Sequence, residues 1–183
     1  MGKICYSKYA LHRNTQRLFQ FRDIDAMTTS RLDRVDLQIL EQLQDNARLS
    51  SADLAERVSL STSPCWRRVK RLEEEGVIRA YQARLDPAKL GYQVTAFVHI
   101  SLDKKDTKHL QAFERAVQAI PQVLSCHRIS GRYDYQLMAL AKDLEAYGVF
   151  SESYINALPS IKEVYTSFVM REVKAGGSVP MPG

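Results

Sequence analysis

The hydrophobic period changes partway along this chain, and that change restricts the fold more than any other feature. Up to Gly76 the apolar residues recur at the three- and four-residue spacing of helices; from Val94 they alternate one by one. Leu37, Leu40 and Leu43, flanked by Ile39, predict a first helix over residues 34–46. Asp33 is placed to cap it, because its carboxylate can accept from the free N–H groups of the first turn. Ser50 with Asp53 three positions on resembles a capping box with Asp in place of Glu. It opens a short second helix whose inner face is Leu54, Ala55 and Val58. After the polar break Ser59-Leu60-Ser61, Ser61 is placed to cap a third helix, and Pro64 is tolerated in its first turn. Cys65, Val69 and Leu72 form its apolar stripe, and Gly76 stops it. Residues 77–85 alternate and predict a strand.

The second half has the other rhythm. Val94, Ala96, Val98, Ile100 and Leu102 predict a strand with one buried face. Asp106 opens a helix with Leu110, Phe113, Val117 and Ile120 inside, closed by Pro121. Residues 122–130 and 133–141 read as strands around a turn at Gly131-Arg132. Asp143 opens another helix, with Leu144, Tyr147, Ser151, Tyr154 and Leu158 along one side, and Pro159 ends it. Residues 161–173 read as a last strand. The order β-α-β-β-α-β is a split βαβ arrangement, an antiparallel sheet with both helices on one face. The whole chain is therefore expected to be α+β.

With 183 residues, 45% of them hydrophobic, the chain can build a real core without disulfides or metals. Cys5, Cys65 and Cys126 are odd in number and far apart, which fits a reducing, cytoplasmic setting better than a disulfide framework. No apolar run approaches a membrane span. The formal charge is +5, and residues 1–26 carry +3 of it in five basic and two acidic groups. Residues 1–31 read as a basic, irregular extension. Met27 is the expected natural start, the rival being a basic arm that touches phosphates.

Three short helices with a tight second turn fit a helix-turn-helix. With the Cys65–Val69–Leu72 stripe inward, Ser63, Arg67, Lys70 and Arg71 are expected to point away from the core, with Arg68 on the flank. A recognition helix needs donors for base edges and cations for phosphates. Arg67 is the expected base contact, since a guanidinium grips guanine with two bonds. Lys70 and Arg71 are expected at phosphates. Ser61, Thr62 and Ser63 would meet a phosphate at the helix N-terminus. Trp66 would either pack on the following strand or lean on a sugar. The same charges also permit a plain solvated face, through Lys70–Glu74 and Arg71–Glu75 pairs at i,i+4.

The stretch from Leu32 to Gly91, beginning LDRVDLQIL and running through SPCWRRVKRLEEEGVIRAYQ, resembles the DNA-binding half of the Lrp/AsnC (leucine-responsive, feast/famine) family. SGRYDYQLMAL resembles the effector-domain signature of that family, and TSFVMREVK its last strand. The resemblance implies a winged helix-turn-helix over 32–93, with the helix-turn-helix proper at 51–70, beginning at Ser51. It implies a ferredoxin-like ligand-binding and oligomerisation domain over 94–174, and leaves 175–183 as a flexible tail. It implies double-stranded DNA and a free amino acid as partners, a homodimer building tetramers or octamers, no cofactor and no membrane. Its ligand loop falls on Ser130, Gly131, Arg132, Tyr133 and Asp134, with Thr166 and Ser167 on the last strand as further candidates. Asp134 would accept from the effector's ammonium while loop N–H groups hold its carboxylate. Arg132 departs from the family, where an acidic residue is common. Without the resemblance, Asp134 and Gly131 read as ordinary turn residues.

The rival class is an enzyme related to haem-pathway decarboxylases. His12, His99, His109 and His127 match no metal-ligand spacing, and there is no nucleophile elbow or phosphate loop. A third reading is an architectural protein that wraps DNA with little sequence preference.

Overall fold

The computed structural model describes residues 32–182. The extension 1–31, including the expected start at Met27, lies outside the described residues. Two compact units divide after Tyr81, with the residues from Ser178 onward joining the first. The division falls earlier than residue 93 because the connecting segment is tied to the second unit. Arg84 Nη1 donates to the Gly176 carbonyl at 2.6 Å, and Gln93 N–H to the Lys142 carbonyl at 3.2 Å.

The first unit holds three helices: α1 (Arg34–Asp45), α2 (Ser51–Arg57) and α3 (Thr62–Glu74). Both expected caps form, and both are reciprocal. Asp33 Oδ1 accepts from Asp36 N–H at 2.8 Å while Asp36 Oδ2 accepts from Asp33 N–H at 3.1 Å. Ser50 Oγ accepts from Asp53 N–H at 3.1 Å, and Asp53 returns the bond at 3.3 Å. The core is Ile39, Leu54, Ala55, Val58, Cys65 and Leu72. Ile39 is its contribution from α1, with Val35, Leu40 and Leu43 packed beside it, and Leu37 is not part of the cluster. Gly76 takes φ +72, and Ile78 N–H donates back to the Leu72 carbonyl at 3.0 Å, closing the end of α3.

The expected strand at 77–85 is absent. Its residues alternate, but no described strand lies alongside to take their backbone hydrogen bonds. The segment is held by side chains instead: Tyr81 Oη donates to Glu73 Oε1 at 2.9 Å. The tail, without regular structure, is held at Gly176 by Arg84 and again at Val179, where the Gln44 amide accepts from Val179 N–H at 2.6 Å and donates to its carbonyl at 3.0 Å.

The second unit contains β1 (Val94–Leu102), α4 (Thr107–Gln118), β2 (Val123–Arg128), β3 (Tyr135–Ala141), α5 (Leu144–Phe150) and β4 (Ile161–Phe168). The sheet is antiparallel in the order β2-β3-β1-β4, so β1 is central. Ala96, Val98, Ile100 and Leu102 alternate inward from β1 as expected. With Tyr135, Leu137 and Ala139 of β3 they pack against Phe113 and Val117 of α4 and Tyr147 and Phe150 of α5.

Two expectations need correction here. The last strand ends at Phe168, which pairs with Ala96 close to where β1 begins; one further bond, from Val169 N–H to the Thr95 carbonyl at 2.9 Å, closes the ladder. The helix after Asp143 passes at Ser151–Ile155 into a π-turn. Phe150 and Ile155 are therefore both buried at a spacing of five, and Tyr154 is left 48% exposed. Leu144 also faces outward.

Candidate nucleic-acid interface and effector loop

Helix α3 is oriented by a charge cluster that the sequence reading missed. Asp36, on the inner side of α1, is fully buried and lies between two guanidinium groups. Arg68 Nη1 reaches its Oδ1 at 2.8 Å, and Arg71 Nη2 its Oδ2 at 2.6 Å. Arg68 also binds Asp33 Oδ2 at 2.6 Å, so the residue that caps α1 ties it to α3 as well. The Asp36 N–H and the Arg68 guanidinium hold the Asp33 carboxyl below the ordinary carboxylate range. Arg71 is therefore not an outward-pointing residue, and the expected Arg71–Glu75 pair does not form. A carboxylate buried beneath α3 is the stronger partner, because burying Asp36 without a cation would be prohibitive.

With Arg68 and Arg71 committed, the outer face of α3 presents Ser63, Arg67 and Lys70, all exposed. Arg67 makes no ion pair among the described residues. Lys70 Nζ lies 3.9 Å from Glu74 Oε1 and 5.5 Å from the centroid of the Trp66 ring. Trp66 is 52% exposed and meets no paired strand, so its indole stands on the same open surface. Ser61 caps α3 in backbone geometry only, its hydroxyl making no capping bond, and Thr62 and Ser63 are exposed beside it. The first turn of α3 thus keeps N–H groups and hydroxyls for an anion. Ser51 begins α2 and is also exposed.

In the second unit the loop 130–134 joins β2 to β3. Gly131 has φ +119, a backbone region that side chains rarely adopt. The N–H groups of Ser130, Gly131, Arg132 and Tyr133 are bound to no acceptor among the described residues. Asp134 fastens the loop to β1: its N–H donates to the Ile100 carbonyl at 2.9 Å, and its Oδ2 accepts from Leu102 N–H at 2.9 Å. Its Oδ1 pairs with Lys105 Nζ at 2.7 Å. Burial pushes the Asp134 carboxyl upward, but the bonds from Lys105 and Leu102 and the charges of Lys105 and Arg128 outweigh it, leaving the pKa lowered. The carboxylate expected to be open for a ligand is thus already occupied by a cation of this chain. Arg132 lies 3.2 Å from Glu163 and above the Tyr133 ring, at 5.1 Å.

Thr166 and Ser167 do not join this loop. Thr166 pairs with the inward-facing Val98 and shares a 2.7 Å hydrogen bond with Tyr147 Oη, whereas Ser167 pairs with Phe97 on the opposite face. Strand alternation makes it impossible for both to line one site. The residues of β4 that reach the loop are Glu163 and Tyr165, the latter stacked on Tyr133 at 6.0 Å. His99 completes an aromatic trio, 5.3 Å from Tyr133 and 6.0 Å from Tyr165, with its Nδ1 buried and unpartnered among the described residues.

A family model for a winged helix-turn-helix DNA-binding domain matches residues 32–79, and one for the Lrp/AsnC ligand binding domain matches residues 95–179. The chain is 41% identical over 150 residues to the Bkd operon transcriptional regulator of Pseudomonas aeruginosa, covering 82% of this chain and 98% of that protein. It is 38% identical over 143 residues to the leucine-responsive regulatory protein of Escherichia coli K12, covering 78% and 87%. A transcriptional regulator from Neisseria meningitidis, solved as its L-Met complex, superposes with a TM-score of 0.76 at 38% identity, covering 81% of this chain and 96% of that one. Relatives matched over nearly their whole length agree with both units of the fold, and the chain therefore belongs to the Lrp/AsnC family of transcriptional regulators.

Proposed function

We propose that this regulator reads double-stranded DNA with the outer face of α3 and that a free amino acid, bound at the 130–134 loop, changes how it does so. The observation that carries the DNA half is the division of labour on α3. Arg68 and Arg71 are drawn to Asp33 and Asp36, while Arg67 is exposed with no ion pair among the described residues. In the major groove Arg67 contacts a guanine edge, Lys70 and the Ser61–Ser63 turn meet phosphates, and Trp66 rests on a sugar. Arg71, half-exposed at 41%, contributes only its remaining field.

At the loop, the N–H groups near Gly131 hold the effector carboxylate. The effector ammonium takes the Asp134 oxygen that Lys105 now holds, exchanging one cation for another, while Asp134 keeps its bond to Leu102 N–H. Arg132 adds a cation on the carboxylate side. The face of the sheet away from the helices, with Phe97, Met138 and Tyr165, buries against a second copy, and such dimers associate further into tetramers or octamers. The effector acts by binding one assembly better than another. The chain carries out no catalysis in this scheme.

Fluorescence anisotropy with the gene's own upstream region, with and without each of the twenty amino acids, tests both halves. A preference for that fragment over random duplex, changed by at least one amino acid, is the expected result. Equal binding to every duplex would leave an architectural role, and no binding would end the regulator reading of α3. Light scattering in the same buffers follows the assembly.

A further inference from the structure

Cross-strand register draws a polar line across the face of the sheet away from the helices. His127 of β2 stands opposite Gln136 of β3, Gln136 opposite His99 of β1, and His99 opposite Tyr165 of β4. All four side chains share that face, because Cys126, Leu137, Val98 and Thr166 of the neighbouring line turn toward the helices. The two imidazoles flank Gln136 at a distance of two strand spacings, about 10 Å. The next line on the same face is Ser125, Met138, Phe97 and Ser167. Neither imidazole forms an ion pair among the described residues, and His99 Nδ1 is buried there without a hydrogen-bond partner. The groups that face His99 are Gln136 from β3, the Tyr165 ring from β4 at 6.0 Å and the Tyr133 ring from the loop at 5.3 Å. Glu163, one line further along β4, is paired with Arg132 at 3.2 Å. His127 faces Gln136, and its neighbour Arg128 pairs with the inward Tyr135 on the helix side. Helices α4 and α5 pack on the opposite face, so they bring no charge to this one.

While the histidines are neutral, these two lines of side chains carry no charge. A charge-free face does not repel a copy of itself, and Phe97 and Met138 give that copy apolar surface to cover. In a two-fold pair each copy meets the same residues inverted. A proton on either imidazole then places charge in a surface shut off from water and sets like charge toward like. In the separated chain His127 is exposed and His99 partly so, and a proton there costs less. Protons therefore bind the separated chains better than the pair, and acid shifts the balance toward separation. We propose that the line His127–Gln136–His99–Tyr165 makes association through this face a proton-sensitive switch, closed while both imidazoles are neutral and opened by mild acid. The switch rests on the reading that this face buries against a second copy, and it supplies a control of that contact separate from the effector loop.

Sedimentation equilibrium of the full chain in effector-free buffer at constant ionic strength tests this between pH 8.0 and pH 5.5, the range over which imidazoles change charge. The dissociation constant of the two-copy step is expected to rise at least about tenfold from the upper to the lower pH. His99→Gln should remove most of that rise, and His99→Gln with His127→Gln nearly all of it. His109→Gln changes an imidazole on α4 that pairs with Asp106, and it should keep the rise in full. Phe97→Glu puts a fixed charge on the same face and should separate the pair even at pH 8.0. Far-ultraviolet circular dichroism at each pH follows the fold of every variant, and a rise that merely tracks unfolding counts against the switch. A pair that Phe97→Glu breaks but that ignores pH, or that keeps its acid response in the double variant, overturns the switch and leaves the contact standing. Association at pH 8.0 that Phe97→Glu does not disturb, or no association at all, overturns both.

Discussion

Asp36→Ala removes the one carboxylate that α3 is built around. In the folded unit it accepts three hydrogen bonds: from Arg68 at 2.8 Å, Arg71 at 2.6 Å and Asp33 N–H at 3.1 Å. Deleting one partner of a fully buried ion pair costs about 3–5 kcal/mol. Arg68 and Arg71 keep 31% and 41% of their side-chain surface exposed, so water recovers part of their solvation. A loss of about 2–4 kcal/mol remains. For a unit of this size each kcal/mol moves Tm by roughly 4–8 °C, so the unit should melt at least about 8 °C earlier. The chain has a single tryptophan, Trp66, and it stands on α3, so its fluorescence reports this unit. Thermal melts of wild type, Asp36→Ala and the exposed capping-box variant Asp53→Ala, which should shift the melt far less, make the comparison. If Asp36→Ala melted no earlier than Asp53→Ala, the two-arginine cluster would not be what fixes α3.

The Asp33 carboxyl is lowered in the folded chain, so its contribution is complete above its unfolded value and disappears as pH falls through the folded one. The Trp66 transition should therefore move down in temperature below about pH 4, and Asp33→Asn should flatten that acid limb. Arg67→Ala should cost about 1–3 kcal/mol on the preferred sequence and little on random DNA, whereas Lys70→Ala should weaken both alike and reduce the salt slope by about 1, as read by anisotropy titrations. Lys105→Met frees the Asp134 oxygen and should tighten effector binding measured by calorimetry; weaker or unchanged binding would remove that oxygen from the ammonium site. Gly131→Ala forces a side chain into φ +119 and should abolish the effector response without changing DNA affinity in effector-free buffer, as read by anisotropy with and without amino acid.

What the sequence made legible was local. The caps at Asp33 and Ser50 depend on residues three apart, and the inward alternation of β1 depends on period alone. Partners distant in the chain were hidden. Arg71 and Glu75 fit an i,i+4 pair, yet Asp36 lies 35 residues earlier and only the packing of α1 on α3 brings it within reach. Residues 77–85 alternate like a strand, but alternation gives a strand only where another one is present to pair. The π-turn after Phe150 leaves no mark in a helical wheel drawn at 100° per residue, so Tyr154 was placed inside in place of Ile155. Thr166 and Ser167 could have been separated in advance, because neighbours in a strand face opposite ways. His99 and Tyr165 sit beside the loop through cross-strand register, which a single strand does not reveal.

The face of α3 that carries Arg67 is the centre of the account, and crosslinking tests it most directly. A photoreactive group placed at position 67, and in a second protein at position 68, is irradiated on the gene's own upstream duplex, and the adducts are sequenced. The account predicts adducts from position 67 at defined bases, absent from position 68, which lies on the flank of α3 that faces α1. Equal adducts from both positions, or none from 67 on a duplex the protein demonstrably binds, would contradict it.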